Sequence, residues 1–202
     1  MLQKVLVWDL PTRTFHWLQA LCFMGAYLTS DSEKTRDLHV ALGYILFALI
    51  VFRLVWGFIG TRYARFSSFL FKPSEIIAYM RSLFQGKSEH FVGHNPVGSV
   101  AIWLLLSLGL TLGVTGVMLL QDDVADIVEE IHGYATNAML AVVFVHLLGV
   151  FMSSFLHKEN LVRAMITGYK PADSAQAIQR AYNWLGLLML AAAAIFGFIY
   201  LR

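Results

Sequence analysis

Four of the seven histidines in this 202-residue chain, His16, His39, His132 and His146, fall within or at the ends of long apolar stretches. A titratable side chain is costly in an apolar span, so its presence there points to function. His132 and His146 stand 14 residues apart in one such stretch. On an α-helix this spacing leaves them within about 40° of one face and separates them by about 21 Å along the axis. That distance is too long for one metal ion and suits two cofactors stacked across a bilayer. Each histidine then needs a partner at its own depth on another helix. Neutral imidazole is a strong iron ligand, and helix bundles present such ligands from facing helices. Two imidazoles from opposite sides fill both axial positions of a haem, a closed coordination that suits electron transfer rather than oxygen binding.

The elements that must position these residues are membrane helices. Only 14% of the residues are charged and 58% are hydrophobic, against about 25% charged in soluble domains. The mean hydropathy is +0.64, so lipid is the main solvent. Residues 1–202 read as one all-α integral membrane domain with five transmembrane helices, at about 12–29, 38–59, 97–120, 124–156 and 184–201. The first four are expected to form a haem-binding four-helix bundle. Pro11 suits a first helical turn, Gly60 a stop, and Asn95 with Pro96 a start. The fourth stretch exceeds one plain span, so its acidic first turn should project into water, capped by Asp122 or Asp123. Trp8, Trp17, Tyr182, Trp184 and Tyr200 flank the spans as interfacial aromatics. Ile76, Ile77, Met80, Leu83 and Phe84, between Pro73 and Gly86, mark an amphipathic helix at about 74–85 on the membrane surface.

Charge orients the spans. Eleven basic residues lie on the side of the N-terminus, of residues 60–96 and of the stretch after the fourth span; three lie opposite. The N-terminus is therefore expected in the cytoplasm and, with five spans, the C-terminus in the periplasm. The second and fourth spans then run inward together, which sets His39 level with His132 at the outer side. The first span runs outward, which sets His16 level with His146 at the inner side. Arg53 lies 14 residues after His39 on the same helix face, at the depth expected for an inner haem propionate. Gly43, Gly133 and Gly149 lie near the ligands and leave room for a flat porphyrin. The third span carries Gly98, Gly109, Gly113 and Gly116, a small face for tight packing on a neighbour or for abutting a haem.

Other classes fit less well. A net charge of +2 gives no polybasic footprint for nucleic acid, and a lone Cys22 forms no intramolecular disulfide or cysteine metal motif. The spans carry no mid-span acid, which argues against a proton or cation transporter. The acidic stretch Gln121–Glu130 has five acids and no base, and suits a basic outer partner.

The stretches VWDLPTRTFHW around His16, LHVALGY at His39, RLVWGFIGTRYARF from Arg53, GHNPVG before the third span and HKENLVRAM after the fourth are together specific. With them the chain resembles the bacterial cytochrome b561 family, which includes the b-type cytochrome subunits of nickel–iron hydrogenases. The resemblance covers most of residues 5–170. It implies two haems b with the four histidines as axial ligands, in the bacterial cytoplasmic (inner) membrane. It also implies electron transfer between the quinone pool and a periplasmic cytochrome c or other redox protein. His94 and Asn95 would then lie near the inner haem, binding a propionate or bordering a quinone site, with a helix cap and a solvated imidazole as the alternative. His90 and His157 read as surface residues. A haem-bearing anchor subunit of a larger hydrogenase-like complex, a homo-oligomer and a superoxide:quinone oxidoreductase are the other readings that the resemblance leaves open.

Overall fold

Proline, asparagine and glycine punctuate the apolar runs and set the helix ends. A computed structural model describes residues 3–87 and 89–202. Helix α1 (Leu10–Leu28) opens on Asp9, whose side chain accepts the Thr12 N–H at 2.7 Å, with Pro11 in its first turn. Helix α2 (Arg36–Ile59) closes at Gly60. Helix α3 (Pro73–Phe84) is followed by Gly86 at φ 65°. Helix α4 (Pro96–Met118) opens on Asn95, which accepts the Gly98 N–H at 2.7 Å. Helices α5 (Asp126–Leu156), α6 (Leu161–Thr167) and α7 (Asn183–Tyr200) complete the set. Strands β1 (Gln3–Leu6) and β2 (Tyr169–Ala172) pair antiparallel, Gln3 opposite Ala172 and Leu6 opposite Tyr169.

Three features differ from the sequence expectation. Asp122 and Asp123 do not cap α5, which starts after Ala125 without a side-chain cap; Asp123 instead adopts a left-handed φ of 63° in the turn between α4 and α5. Helix α6 and the β ribbon were not foreseen, because segments of seven and four residues are too short to show a period. Helix α1 is not among the four helices long and apolar enough to cross a membrane, which are α2 with its preceding turn, α4, α5 and α7. Arg13, His16 and Gln19 dilute its apolar run.

The chain is an all-helical integral membrane protein apart from the small ribbon. Phe144, Phe151 and Phe155 on α5 and Leu187, Ile195 and Phe198 on α7 are exposed, a surface that lipid covers at no cost. Helix α5, with 31 residues, is about 46 Å long, well beyond a hydrocarbon core of about 30 Å.

Helix α1 packs on α2 and α7, α2 on α4, and α4 on α5. The small face of α4 is what brings α2 close. A Cβ on Gly109 would meet Ile50 at 2.7 Å, and one on Gly113 would meet the Phe47 ring at 2.2 Å. Cys22, Phe23, Leu46, Ile50, Leu112 and Met139 fill the bundle centre.

A second, smaller core lies at one end, where Val5, Val7, Trp8, Tyr63, Ala172 and Ile178 pack together. The Tyr63 hydroxyl donates to Gln176 O at 2.8 Å, and Leu10 N–H donates to Ala181 O at 2.9 Å. The N-terminus, the α2–α4 connection and the segment after α5 therefore interlock at the same end. They are the segments that carry the eleven basic residues.

Asp9 ties this clamp to the bundle. It is 1% exposed, and its second carboxylate oxygen accepts from Trp56 Nε1 at 3.2 Å and Thr61 Oγ1 at 2.5 Å. One side chain thus joins the start of α1 to the end of α2. Asp9→Ala removes a cap and strands two buried donors, so it should cost about 2–4 kcal/mol. The check is thermal unfolding in detergent; a melting temperature equal to that of the unsubstituted chain would refute this role.

Candidate functional site

The chain direction brings His16, His39, His132 and His146 together as two pairs. His39 at the start of α2 faces His132 near the start of α5, with ring centroids 6.4 Å apart. His16 on α1 faces His146 on α5, with ring centroids 6.5 Å apart. A metal ion joining two imidazoles through bonds of about 2 Å, with each ring centre about 1.1 Å behind its nitrogen, sets the centroids about 6.3 Å apart. Both pairs match that separation.

The His39–His132 pair is oriented by hydrogen bonds on the far side of each ring. His39 Nδ1–H donates to Ala26 O at 2.8 Å. His132 Nδ1 lies 2.8 Å from Thr115 Oγ1. The Thr115 hydroxyl proton is already given to Thr111 O at 2.7 Å, so Thr115 accepts from His132 Nδ1–H. Both rings are thereby fixed as the tautomer that leaves Nε2 bare, the state in which imidazole ligates metal. A cavity of about 960 Å³ opens between them, lined also by Gly43, Gly133, Gly116 and Arg36. A Cβ built on Gly43 or Gly133 would meet nothing within 4 Å. These two glycines therefore border free space, while Gly109 and Gly113 serve helix packing.

The His16–His146 pair lies among unsatisfied polar groups. His16 Nδ1 is buried with no hydrogen-bond partner, as are both polar atoms of the Gln19 amide one turn along α1. A Cβ on Gly149, three residues after His146, would meet nothing within 4 Å. Arg53 is 3% exposed, and its Nη1 has no partner. Its guanidinium carbon lies 5.1 Å from the Phe66 ring centre and 5.8 Å from that of Phe69. Aromatic faces offset only part of the cost of a buried cation, and the buried Asp9 carboxylate also acts on it.

His94 is wedged between Trp8 and Phe69, each with its ring centre 4.7 Å away. It is not solvated: its Nδ1 is buried and unpartnered. Burial, reinforced by the positive charges of Arg53 and Lys170, pushes its pKa down to about 3, so the ring is neutral at physiological pH. Asn95 spends its carboxamide oxygen on the α4 cap. His90 is exposed, with its Nε2 3.0 Å from Glu159, and His157 is half-buried, with its ring 5.4 Å from that of His90.

Sequence reasoning did not single out Thr115, Gln19 or Arg36. A detectable signal existed for two of them. Arg36 and Gln19 each lie three residues from a ligand candidate, one helical turn away. Thr115 is on another helix and had none.

Each pair could supply the two imidazoles of a bis-imidazole centre. Residues 7–168, which hold all four histidines, match the family described as prokaryotic cytochrome b561. The chain belongs to that family. It is a membrane b-type cytochrome, a haem b-bearing electron-transfer protein. It is 24% identical to a "Probable Ni/Fe-hydrogenase B-type cytochrome subunit" of Rhodobacter capsulatus, an alignment covering 83% of this chain and 81% of the relative. It is 23% identical to the protein of that name from Azotobacter vinelandii, over 82% and 88% of the two chains. A "Probable Ni/Fe-hydrogenase 1 B-type cytochrome subunit" of Escherichia coli K12 is 24% identical over 57% of this chain and 60% of its own. No solved structure matches the cytochrome.

The buried Arg53 yields a test in two forms. Its Nη1 makes no hydrogen bond, while the buried Asp9 carboxylate acts on the guanidinium. If an anion completes the set, Arg53→Met should lower the stability of the haem-loaded cytochrome by at least about 1 kcal/mol more than that of the haem-free one. Thermal melts of both forms in detergent read the difference, and equal changes in the two would refute an anion-receiving role.

Proposed function

We propose that this cytochrome holds two haems b at two depths. His39 and His132 ligate the outer one, and His16 and His146 the inner one. The observation that carries this reading is the level pairing, two imidazole pairs with ring centroids 6.4 and 6.5 Å apart, about 21 Å from each other along α5. Haem b supplies reversible one-electron chemistry at each site, so the protein would move electrons across the membrane between the quinone pool and a periplasmic redox protein.

The chain's own residues do the positioning. Thr115 and the Ala26 carbonyl hold the outer imidazoles in their ligating tautomer. Arg53 provides the positive charge for an inner propionate, with His94 beside it. Gly43, Gly133 and Gly149 leave the ring space open. Helix α1 is the fifth span, and α1, α2, α4 and α5 are the four helices of the bundle. The clamp at the basic end is cytoplasmic, and the acidic turn before α5 is periplasmic, where it suits a partner's basic surface. The names of the relatives favour a nickel–iron hydrogenase as that partner, with this chain as its membrane subunit.

Spectra test the reading. The purified protein should show a dithionite-reducible b-type band with about two haems per chain. His16→Ala and His146→Ala should deplete one haem, and His39→Ala and His132→Ala the other; depletion of the inner haem by His39→Ala would sink the pairing. Thr115→Val should weaken retention of the outer haem about 10- to 100-fold, as outer-shell losses at metal sites do. In a redox titration, Arg53→Leu should shift the potential of the inner haem alone, and an unchanged value would reject the propionate contact.

A further inference from the structure

The two imidazole pairs are alike in separation and unlike in what surrounds them. Behind His39 and His132, the Ala26 carbonyl and the Thr115 hydroxyl oxygen each accept an Nδ1 proton at 2.8 Å. Such a bond pushes electron density through the ring and makes the nitrogen facing the metal more basic. A more basic ligand favours ferric iron, the state of higher charge, and so lowers the reduction potential. Behind His16 the corresponding nitrogen is enclosed by protein and has no acceptor. That ring is the weaker donor and favours ferrous iron.

Charge adds a difference of the same sign. The cavity beside His39 and His132 is lined by three acids, Asp31, Glu33 and Glu129, and by one base, Arg36. All four are exposed, so salt screens them, but their sum is negative and opposes the arrival of an electron. At the His16–His146 end the cation is Arg53, 3% exposed. Asp9 acts on it, through a carboxylate already engaged by Thr12, Trp56 and Thr61. A buried cation is screened far less than an exposed one and favours the arrival of an electron. Burial also disfavours the more highly charged ferric state.

We infer that this chain sets its two haems at unequal potentials. Thr115, the Ala26 carbonyl and the acidic cavity lining hold the His39–His132 haem at the lower potential, and Arg53 holds the His16–His146 haem at the higher one. This rests on the di-haem reading above and gives its two sites an order. The step between them moves one electron. Iron at His39–His132 is oxidised as iron at His16–His146 is reduced, with no bond made or broken and no proton taken up. A single electron on the protein therefore rests at the end that carries the clamp. In the orientation proposed above, it reaches that end by moving toward the negative side of the membrane, which the membrane potential opposes. The higher potential there offsets that work. Thr115 is a positioning residue in this scheme, since it acts on the iron only through His132.

The test is a spectroelectrochemical titration of the full haem-loaded chain in nanodiscs. Two one-electron waves are expected. The lower should vanish in His39→Ala and His132→Ala, and the higher in His16→Ala and His146→Ala. Thr115→Val should change the reduction constant of the lower wave about tenfold, a rise of about 59 mV for one electron, and leave the higher wave in place. Thr115→Ser keeps the hydroxyl and should restore the lower value. Glu129→Gln should also raise the lower wave, by an amount that shrinks as salt is added. Equal potentials or the reverse order, in a chain that holds two haems, would overturn the inference and leave the di-haem reading standing. An unmoved lower wave in Thr115→Val with full haem content would overturn the part given to Thr115. A rise of the higher wave in Gln19→Leu would show that the Gln19 amide, one turn along α1, accepts from His16 once haem is bound, and would overturn the hydrogen-bond cause of the order. If Thr115→Val loses its haem, the order of the waves in the unsubstituted chain and the Glu129→Gln shift still decide. One wave with one haem per chain would mean that the di-haem reading has itself failed, and this inference with it.

Discussion

Two imidazoles on one face of α5, at two depths in hydrocarbon, are the constraint around which the molecule is arranged. Neither ring can be left unpaired in lipid without cost, and they are too far apart to serve each other. Each therefore demands a second helix, and the two helices must enter from opposite sides. Helix α1 reaches His146 and α2 reaches His132 because they are antiparallel neighbours joined by a short turn. Helix α4 carries no histidine, yet it sets the spacing. Gly109 and Gly113 let α2 approach closely, and one turn later Gly116 and Thr115 face His132 instead. The same helix is thus packing surface at its middle and ring support near its C-terminal end.

The two ends of the bundle are held by different physics. At the His39–His132 end the histidine rings are oriented by backbone and hydroxyl acceptors beside an open cavity. At the His16–His146 end the groups are buried: an arginine whose Nη1 has no acceptor, a histidine kept neutral by burial, and an amide with both atoms unpartnered. Unsatisfied groups of this kind raise the energy of the fold. The clamp of β1, β2 and the loops around them keeps that end shut to water, and Asp9 carries the connection from clamp to bundle.

The histidine pairs, the helix order and the charge asymmetry were readable in the sequence because they follow from strict periods. A 3.6-residue helix fixes which residues share a face, and the bilayer fixes how deep they lie. Arg53 was placed by the same arithmetic. His94 was less legible. GHNP reads equally as a capped helix start and as a ligand site; Asn95 caps α4, while His94 is not solvated but enclosed by Trp8 and Phe69. Asp122 and Asp123 misled, since an acidic pair before a helix suits a turn as well as a cap.

By itself the sequence determined the solvent, the long helices, the histidine candidates and how they pair, since composition and period are local properties. Only the tertiary structure decided what stands behind each ring. Thr115 behind His132, the Ala26 carbonyl behind His39, and the meeting of His90, Glu159 and Lys170 join residues 11 to 80 positions apart on elements with no common period. Such meetings depend on how antiparallel helices and a four-residue ribbon close on one another, which no one-dimensional pattern encodes.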